Sequence, residues 1–454
     1  MRLFYHKAAV ALVTASLTLA CGAGMTQVQN ARSQKARSLP VAGSSKAAAP
    51  YRTGVKAPAD GMLGIQIPIY DPSGRSLAAF HDALRRARDQ KGQARIVFYG
   101  ASHVAGDIFT GYIRRELQRR YGDAGHGFVM PARPWRTYRQ ADVNISSTNT
   151  WHTDRVSKPD DRKDGWYGLA GMSVSSGWKK NWGEVSTTKD NRVGRRVSRF
   201  ELFYLKQPRG GRLDVKIDHR RVKRLRTWSK RIEPGYAVFK VRDGRHTFGI
   251  RPVGDGEVRI FGVAMERDVP GVILDTLGIP GSRARYQLEW NPDLYREHLR
   301  RRRPDLVVLA YGTNESGDDV VPIEKYEEDL RAVLDRVKDA VPSASCLLIG
   351  PSDRPIRQKI QKTQKIRDKR ETESEYRFLP RPRTAQVIEV QRRVAEDYGC
   401  GFFDLVAFMG GPMSMIQWVN ADPPYAAQDY VHFNRLGYER LGEVLLKDLL
   451  DGFE

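Results

Sequence analysis

Five short, almost wholly apolar segments constrain what this chain can fold into. They lie at 95–100, 271–275, 305–311, 346–350 and 401–405. A strand with one wet face alternates polar and apolar residues, whereas a continuous apolar run suits a strand covered on both faces. Between the segments run amphipathic helical patterns. Phe109, Ile113 and Leu117 mark one face, Tyr326, Leu330, Val333 and Val337 another, Val387, Val390 and Val394 a third, and Leu441, Leu445 and Leu449 the last. A further helix begins near Leu77, with Phe80 and Leu84 on its buried side. Doubly covered strands alternating with helices predict an α/β domain: a parallel five-stranded sheet in a three-layer α/β/α sandwich of flavodoxin-like kind.

Two stretches break this rhythm. Residues 132–268 are rich in Trp, Gly and Asp and hold strand-like runs at 199–205, 212–218, 236–241, 247–251 and 257–263. Asp243-Gly244, between two of these runs, is a hairpin signal. The stretch reads as an all-β sandwich module inserted into the α/β domain, which then comprises 61–131 and 269–454. The second stretch, 354–383, is dense in Lys, Arg, Gln and Glu and is expected to be a solvated loop or exposed helix with no chemistry.

At the N-terminus, Arg2, His6 and Lys7 precede an apolar run at 8–20 that ends in Leu19-Ala20-Cys21-Gly22. The run is too short to span a bilayer and fits the core of a secretory signal over 1–21, so export to the periplasm or cell envelope is expected. The last four residues look like a lipobox, which would lipidate Cys21 and attach the chain to a membrane. Residues 22–60 read as a flexible linker.

Lys and Arg number 76 against 53 Asp and Glu, a formal net charge of +23. Such a surface attracts polyanions, but an exported protein meets little nucleic acid, so anionic envelope polymers are the expected partners. Runs such as Arg300–Arg303 read as solvated helix ends. A hydrophobic fraction of 40% excludes wholesale disorder, and three cysteines are too few for a disulfide framework or a four-cysteine zinc site. Cys346 and Cys400 fall on strands expected to be neighbours, and either pair or stay as buried thiols. No metal cluster or cofactor fingerprint is apparent.

In an α/β sheet the functional residues collect at the strand C-termini. There the sequence reads Gly100-Ala101-Ser102-His103, Gly278-Ile279-Pro280-Gly281-Ser282, Gly312-Thr313-Asn314-Glu315 and, ahead of the last helix, Asp429-Tyr430-Val431-His432-Phe433-Asn434. Taken singly, Ser102 suits a helix cap, Gly281 and Asn314 suit turns, and Asp429 with His432 suits a surface loop. Asn434 is placed to cap the last helix. Together and in this order, the four blocks resemble the SGNH (GDSL-type) hydrolase superfamily. The resemblance covers about residues 94–131 and 270–447, with Ala101 where the family usually has Asp.

The resemblance implies Ser102 as nucleophile, His432 as general base and Asp429 as the residue orienting His432. It further implies an oxyanion hole made by the Ser102 and Gly281 N–H groups and the Asn314 amide. Ser102-His103-Val104-Ala105-Gly106-Asp107, Tyr121 to Phe128, Met409-Gly410-Gly411 and the Asp429 block also resemble periplasmic peptidoglycan O-acetylesterases, which carry a carbohydrate-binding-module-like insert at this point. An exported serine esterase is therefore expected, removing short acyl groups, chiefly acetyl, from an envelope glycan such as peptidoglycan, without cofactor or metal. The alternatives are a glycan O-acyltransferase and a catalytically silent glycan-binding lipoprotein. Trp151, Trp166, Tyr167, Trp178 and Trp182 of the insert suit either sugar stacking or core filling. His103 and His126 are expected beside the site as supporting residues.

Overall fold

The first apolar segment becomes β1 (Gln93–Gly100), whose side chains alternate between two cores. Val97 and Tyr99 enter one, Ile96 and Phe98 the other. This is the signature of a strand covered on both faces. In the computed structural model, which describes residues 62–156, 161–189, 192–366 and 369–453, β1 pairs in parallel with β2 (Gly271–Gly278) on one side and β3 (Leu306–Ala310) on the other. Beyond β3 follow β4 (Ser345–Ile349) and β5 (Gly401–Phe403), giving the order β2-β1-β3-β4-β5. The expected leader, the linker and Cys21 lie outside the described residues.

Helices α1 (Ala78–Arg88) and α2 (Phe109–Tyr121) pack on one face of the sheet. Helices α3 (Pro292–Arg302), α4 (Ile323–Ala340) and α5 (Pro382–Asp397) pack on the other, and α6 (Arg435–Leu449) returns to the first. Gly100 stands opposite both Gly278 and Ala310 in register. The loops leaving β1, β2 and β3 therefore start level with one another. Cys346, on β4, and Cys400, just before β5, form a disulfide across the neighbouring strands.

Between α2 and β2 the chain builds two antiparallel sheets. One contains Glu233–Gly244, Val197–Lys206, Val258–Glu266, Met172–Ser176 and His152–Arg155. The other contains Val143–Ser147, Gly183–Thr187, Thr247–Pro252, Arg212–Ile217 and Arg220–Arg226. Phe200 of the first meets Phe248 of the second at 5.1 Å between ring centroids, so the sheets face each other across a common core. Strand Gly125–Val129 also joins the first sheet, alongside Val258–Glu266, and thus precedes the expected boundary at 132. Its sequence, Gly-His-Gly-Phe-Val, has too few apolar residues to announce a strand.

Three expectations need correction. Asp243-Gly244 does not close a hairpin. Glu233–Gly244 pairs with Val197–Lys206, while Thr247–Pro252 pairs in the opposite sheet, so the dipeptide lies where the chain crosses the sandwich. The stretch 354–383 is neither loop nor helix but mainly a hairpin of Ile356–Ile366 and Lys369–Leu379. A two-stranded ribbon with both faces polar carries no period-two apolar signal, which is why the pattern did not show it. Finally, Arg302 of the four-arginine run is not solvated: its side chain is 3% exposed. It donates to Asp275 of β2 at 2.7 and 2.8 Å and also to Glu266 of the sandwich. Arg95 of β1 donates to the same Glu266 at 2.9 and 3.1 Å. One buried ion network thus joins the sandwich to the parallel sheet.

Candidate active site

β1 ends at Gly100, and Ser102 opens the short helix Ser102–Ala105. That helix lies directly on the end of β2. A Cβ at Gly278 would stand 2.2 Å from the Ala105 nitrogen, so only glycine allows the approach. Ser102 does not use its hydroxyl as a cap. Its Oγ lies 2.8 Å from His432 Nε2, and His432 Nδ1 lies 2.7 Å from Asp429 Oδ2.

The tautomer follows from this chain of contacts. Asp429 Oδ1 accepts the N–H groups of Val431 and His432, both at 2.9 Å. Partial burial pushes the Asp429 carboxyl up, but these bonds and the imidazole outweigh it and hold the carboxyl below its usual value. An ionised carboxylate only accepts, so the imidazole proton sits on Nδ1. Nε2 is left with its lone pair toward Ser102, whose hydroxyl donates to it. The side chains of His432 and Asp429 are 41% and 49% exposed, so the pair opens directly onto the surface.

Around Ser102 stand the other singled-out residues. Gly281, at φ +77°, turns the chain after β2 in a conformation that favours glycine. Among the described residues, neither its N–H nor that of Ser102, at a helix start, has a hydrogen-bond partner. Asn314, after β3, spends one amide proton on the Ser282 carbonyl at 2.8 Å, which ties the β3 loop to the β2 loop and leaves the second proton free. Asn434 occupies the cap position of α6, but its amide donates to the carbonyls of Ala426 and Pro424 and closes the His432 loop instead.

Three supporting groups escaped the sequence reading because their partners are distant in the chain. Buried Glu315 accepts from Gly312 N–H at 2.9 Å and Ala284 N–H at 2.8 Å, clamping the two loops that carry Asn314 and Gly281. Buried Asp107 accepts from Thr110, Arg114, Thr276 and the Ala141 N–H, which fixes the loop behind Ser102. Tyr438 of α6 lies 2.9 Å from His103 Nδ1, and His103 Nε2 lies 3.2 Å from Ser352. Burial, then the neighbouring His432, lowers the His103 pKa to about 3, so its ring stays neutral beside the working histidine. His126, also lowered to about 3 by burial and Arg114, bonds to Gln140 at 2.7 Å. Of the insert's aromatics, Trp151 and Tyr167 fill the core and Trp166 packs partly against it, while Trp178 and Trp182 are exposed.

Residues 253–440 match the GDSL-like Lipase/Acylhydrolase family. The chain carries a GDSL-like acylhydrolase domain. It is an ester hydrolase, and the matched stretch includes Gly281, Asn314, Asp429 and His432, while the Ser102 block lies ahead of it, across the sandwich. Among solved structures, the acylhydrolase shares its fold with one titled "Peptidoglycan O-acetylesterase in action, 5 min". The two are 24% identical over 85% of this chain and 99% of the other, with a TM-score of 0.65. A family two carbohydrate esterase from Cellvibrio japonicus is 10% identical over 68% of this chain and 98% of its own, at a TM-score of 0.28. The salicylyl-acyltransferase SsfX3 is 13% identical over 71% and 96%, at 0.30. No curated protein matches the acylhydrolase in sequence.

Proposed function

We propose that this acylhydrolase is an exported enzyme that releases O-linked acetyl groups from peptidoglycan through an acyl-serine intermediate. The observation that carries the reading is the continuous line of hydrogen bonds from Asp429 through His432 to Ser102. Ser102 Oγ attacks the ester carbonyl carbon while its proton passes to His432 Nε2, and Asp429 stabilises the imidazolium that forms. The negative charge on the carbonyl oxygen falls to the N–H groups of Ser102 and Gly281 and to the free amide proton of Asn314. Collapse of this intermediate expels the sugar oxygen, which takes the proton from His432. Water then repeats the sequence on the acyl-serine: His432 accepts its proton, acetate leaves and Ser102 is restored.

Substrate class and location draw on separate support. An open triad suits an ester carried on a large polymer better than a small molecule that must be enclosed. The fold shared with a structure titled as a peptidoglycan O-acetylesterase supports that polymer, as does the basic composition. The Cys346–Cys400 disulfide and the apolar leader support export, with Cys21 as the point of lipid attachment. Acetate release from O-acetylated peptidoglycan, wild type against Ser102→Ala, tests the reading. Release that disappears in the variant is expected. Cleavage of small acetyl esters or acetylated xylan with none from peptidoglycan would refute the polymer assignment.

A further inference from the structure

The hairpin of Ile356–Ile366 and Lys369–Leu379 takes no part in the chemistry above, yet it is anchored on both sides of the site. On the Asn314 side, Arg354 Nη1 donates to the Thr313 carbonyl at 3.3 Å and Arg383 Nε to the Glu315 carbonyl at 2.9 Å. Arg381 Nε donates to the Arg354 carbonyl at 3.1 Å, joining the two feet of the ribbon. On the His432 side, the Phe378 ring lies 4.5 Å from that of Tyr430, the residue following Asp429. Arg357 stacks on Tyr376 at 3.7 Å and stands 5.8 Å from the Tyr430 ring.

The pairing register decides what the ribbon presents. Arg357 is opposite Phe378 and Lys359 opposite Tyr376. Side chains two apart share a face, so these four lie together on the face that meets Tyr430, while Glu375 and Arg377 fall on the other. Arg357, Lys359 and Tyr376 are exposed. Each strand has 11 residues, which at about 3.3 Å per residue gives an arm of about 36 Å, far longer than one acetylated sugar.

The foot of the arm holds a half-buried cation that makes no ion pair of its own among the described residues. Arg283 is paired with Asp318, and Arg381 stands 3.8 Å from Asp319. Arg354, half-buried between them, has no acidic partner among the described residues. Burial, then the charges of Arg381 and Arg283, push its guanidinium down, and the nearby Asp318 and Asp319 offset this only in part. A partly desolvated cation whose nearest carboxylates, Asp318 and Asp319, are engaged by Arg283 and Arg381 is costly, and a ligand anion relieves that cost.

We propose that the hairpin is a substrate-holding arm. Arg354 at its foot and Arg357 and Lys359 on its face take carboxylates of an anionic glycan chain, and Tyr376 bears on a sugar ring. The chain then lies along the arm with its ester at Ser102. This rests on the reading of Ser102 as the nucleophile of a glycan esterase. A neutral glycan would leave Arg354 as costly when bound as when free.

Binding by the Ser102→Ala protein tests the arm without turnover. Soluble O-acetylated peptidoglycan fragments carry carboxylates, and acetylated xylan oligosaccharides do not. Adding Arg357→Gln with Lys359→Gln, both exposed, is expected to raise Kd for the peptidoglycan fragments at least tenfold and for the xylan oligosaccharides less than threefold. Arg354→Gln is expected to act in the same direction, but because it also touches the Thr313 carbonyl the exposed pair is decisive. Unchanged affinity, an equal loss on both glycans, or no binding of peptidoglycan fragments by the parent overturns the proposal. Acetate release by the Ser102-bearing protein, measured in parallel, separates failure of the arm from failure of the esterase reading.

Discussion

Asn314 has already committed one of its two amide protons to Ser282, so the second is oriented before substrate arrives. Preorganised donors of this kind are strongest where charge develops, and removing one typically costs about 10²–10³ in kcat. Asn314→Ala is expected to lower kcat within that range, with KM for a small acetyl ester changing much less. A comparable loss in KM would mean the amide serves binding instead. At Asp429 the pH dependence has a definite sign. Its carboxyl is held below the usual range, so it stays ionised as pH falls through that range and adds no proton of its own to the acid loss of kcat/KM. A plot of log kcat/KM against pH with a limiting slope of two between about pH 4 and 6 would contradict this. Ser102, Gly281, Asn314, Asp429 and His432 could be singled out because their blocks stand at strand ends or ahead of a helix and together resemble one hydrolase superfamily; position alone suits caps, turns and a surface loop equally well. Glu315 and Asp107 could not be: their effect depends on backbone groups brought from Ala284 and Ala141 by the fold.

Between elements, the sandwich and the parallel sheet are tied by the network of Arg302, Arg95, Arg199, Glu266 and Asp275. Burial pushes the Glu266 carboxyl up, but Arg302 and Arg95 outweigh it and drive it far below the ordinary value. A carboxyl depressed in the folded state adds stability that is full above its unfolded pKa and is lost as pH falls through the folded one. Denaturant unfolding should therefore show wild-type stability dropping on acidification below about pH 4.5, with a smaller drop in Glu266→Gln. At pH 7 that substitution weakens the pairing of three arginines, Arg95, Arg199 and Arg302, and is expected to cost about 3–5 kcal/mol. A loss under 1 kcal/mol would show the network to be incidental. The same scale shows where sequence patterns stop. Asp243-Gly244 has turn chemistry, but its flanking strands belong to opposite sheets, a fact of long-range pairing that no local signal encodes. The polar hairpin was invisible for the complementary reason: its two strands satisfy each other and need no buried face.

For the whole molecule, the apolar segments, their helices and the long interruption were enough to place a five-stranded parallel sheet with an inserted sandwich. Burial on both faces leaves a continuous trace in sequence. The level ends of β1, β2 and β3 then put Ser102, Gly281 and Asn314 at one edge, and α6 brings the His432 loop to meet them. The disulfide between Cys346 and Cys400 holds the β4–β5 side of the sheet across a sequence separation of 54. Replacing both cysteines by alanine is expected to cost about 2–4 kcal/mol, read as a lower Tm, while leaving small-ester kcat intact. A loss of kcat without a loss of Tm would give the bridge a role in the site that its position does not explain.

The central claim is that Ser102 is the nucleophile and that His432 activates it. The most direct measurement is reaction with a fluorophosphonate, followed by peptide mass mapping of the wild type and of His432→Ala. The account predicts a single adduct, on the peptide bearing Ser102, forming with loss of esterase activity and suppressed in the His432 variant. Full inactivation with the adduct on another residue, or labelling of Ser102 that is indifferent to His432, would contradict it.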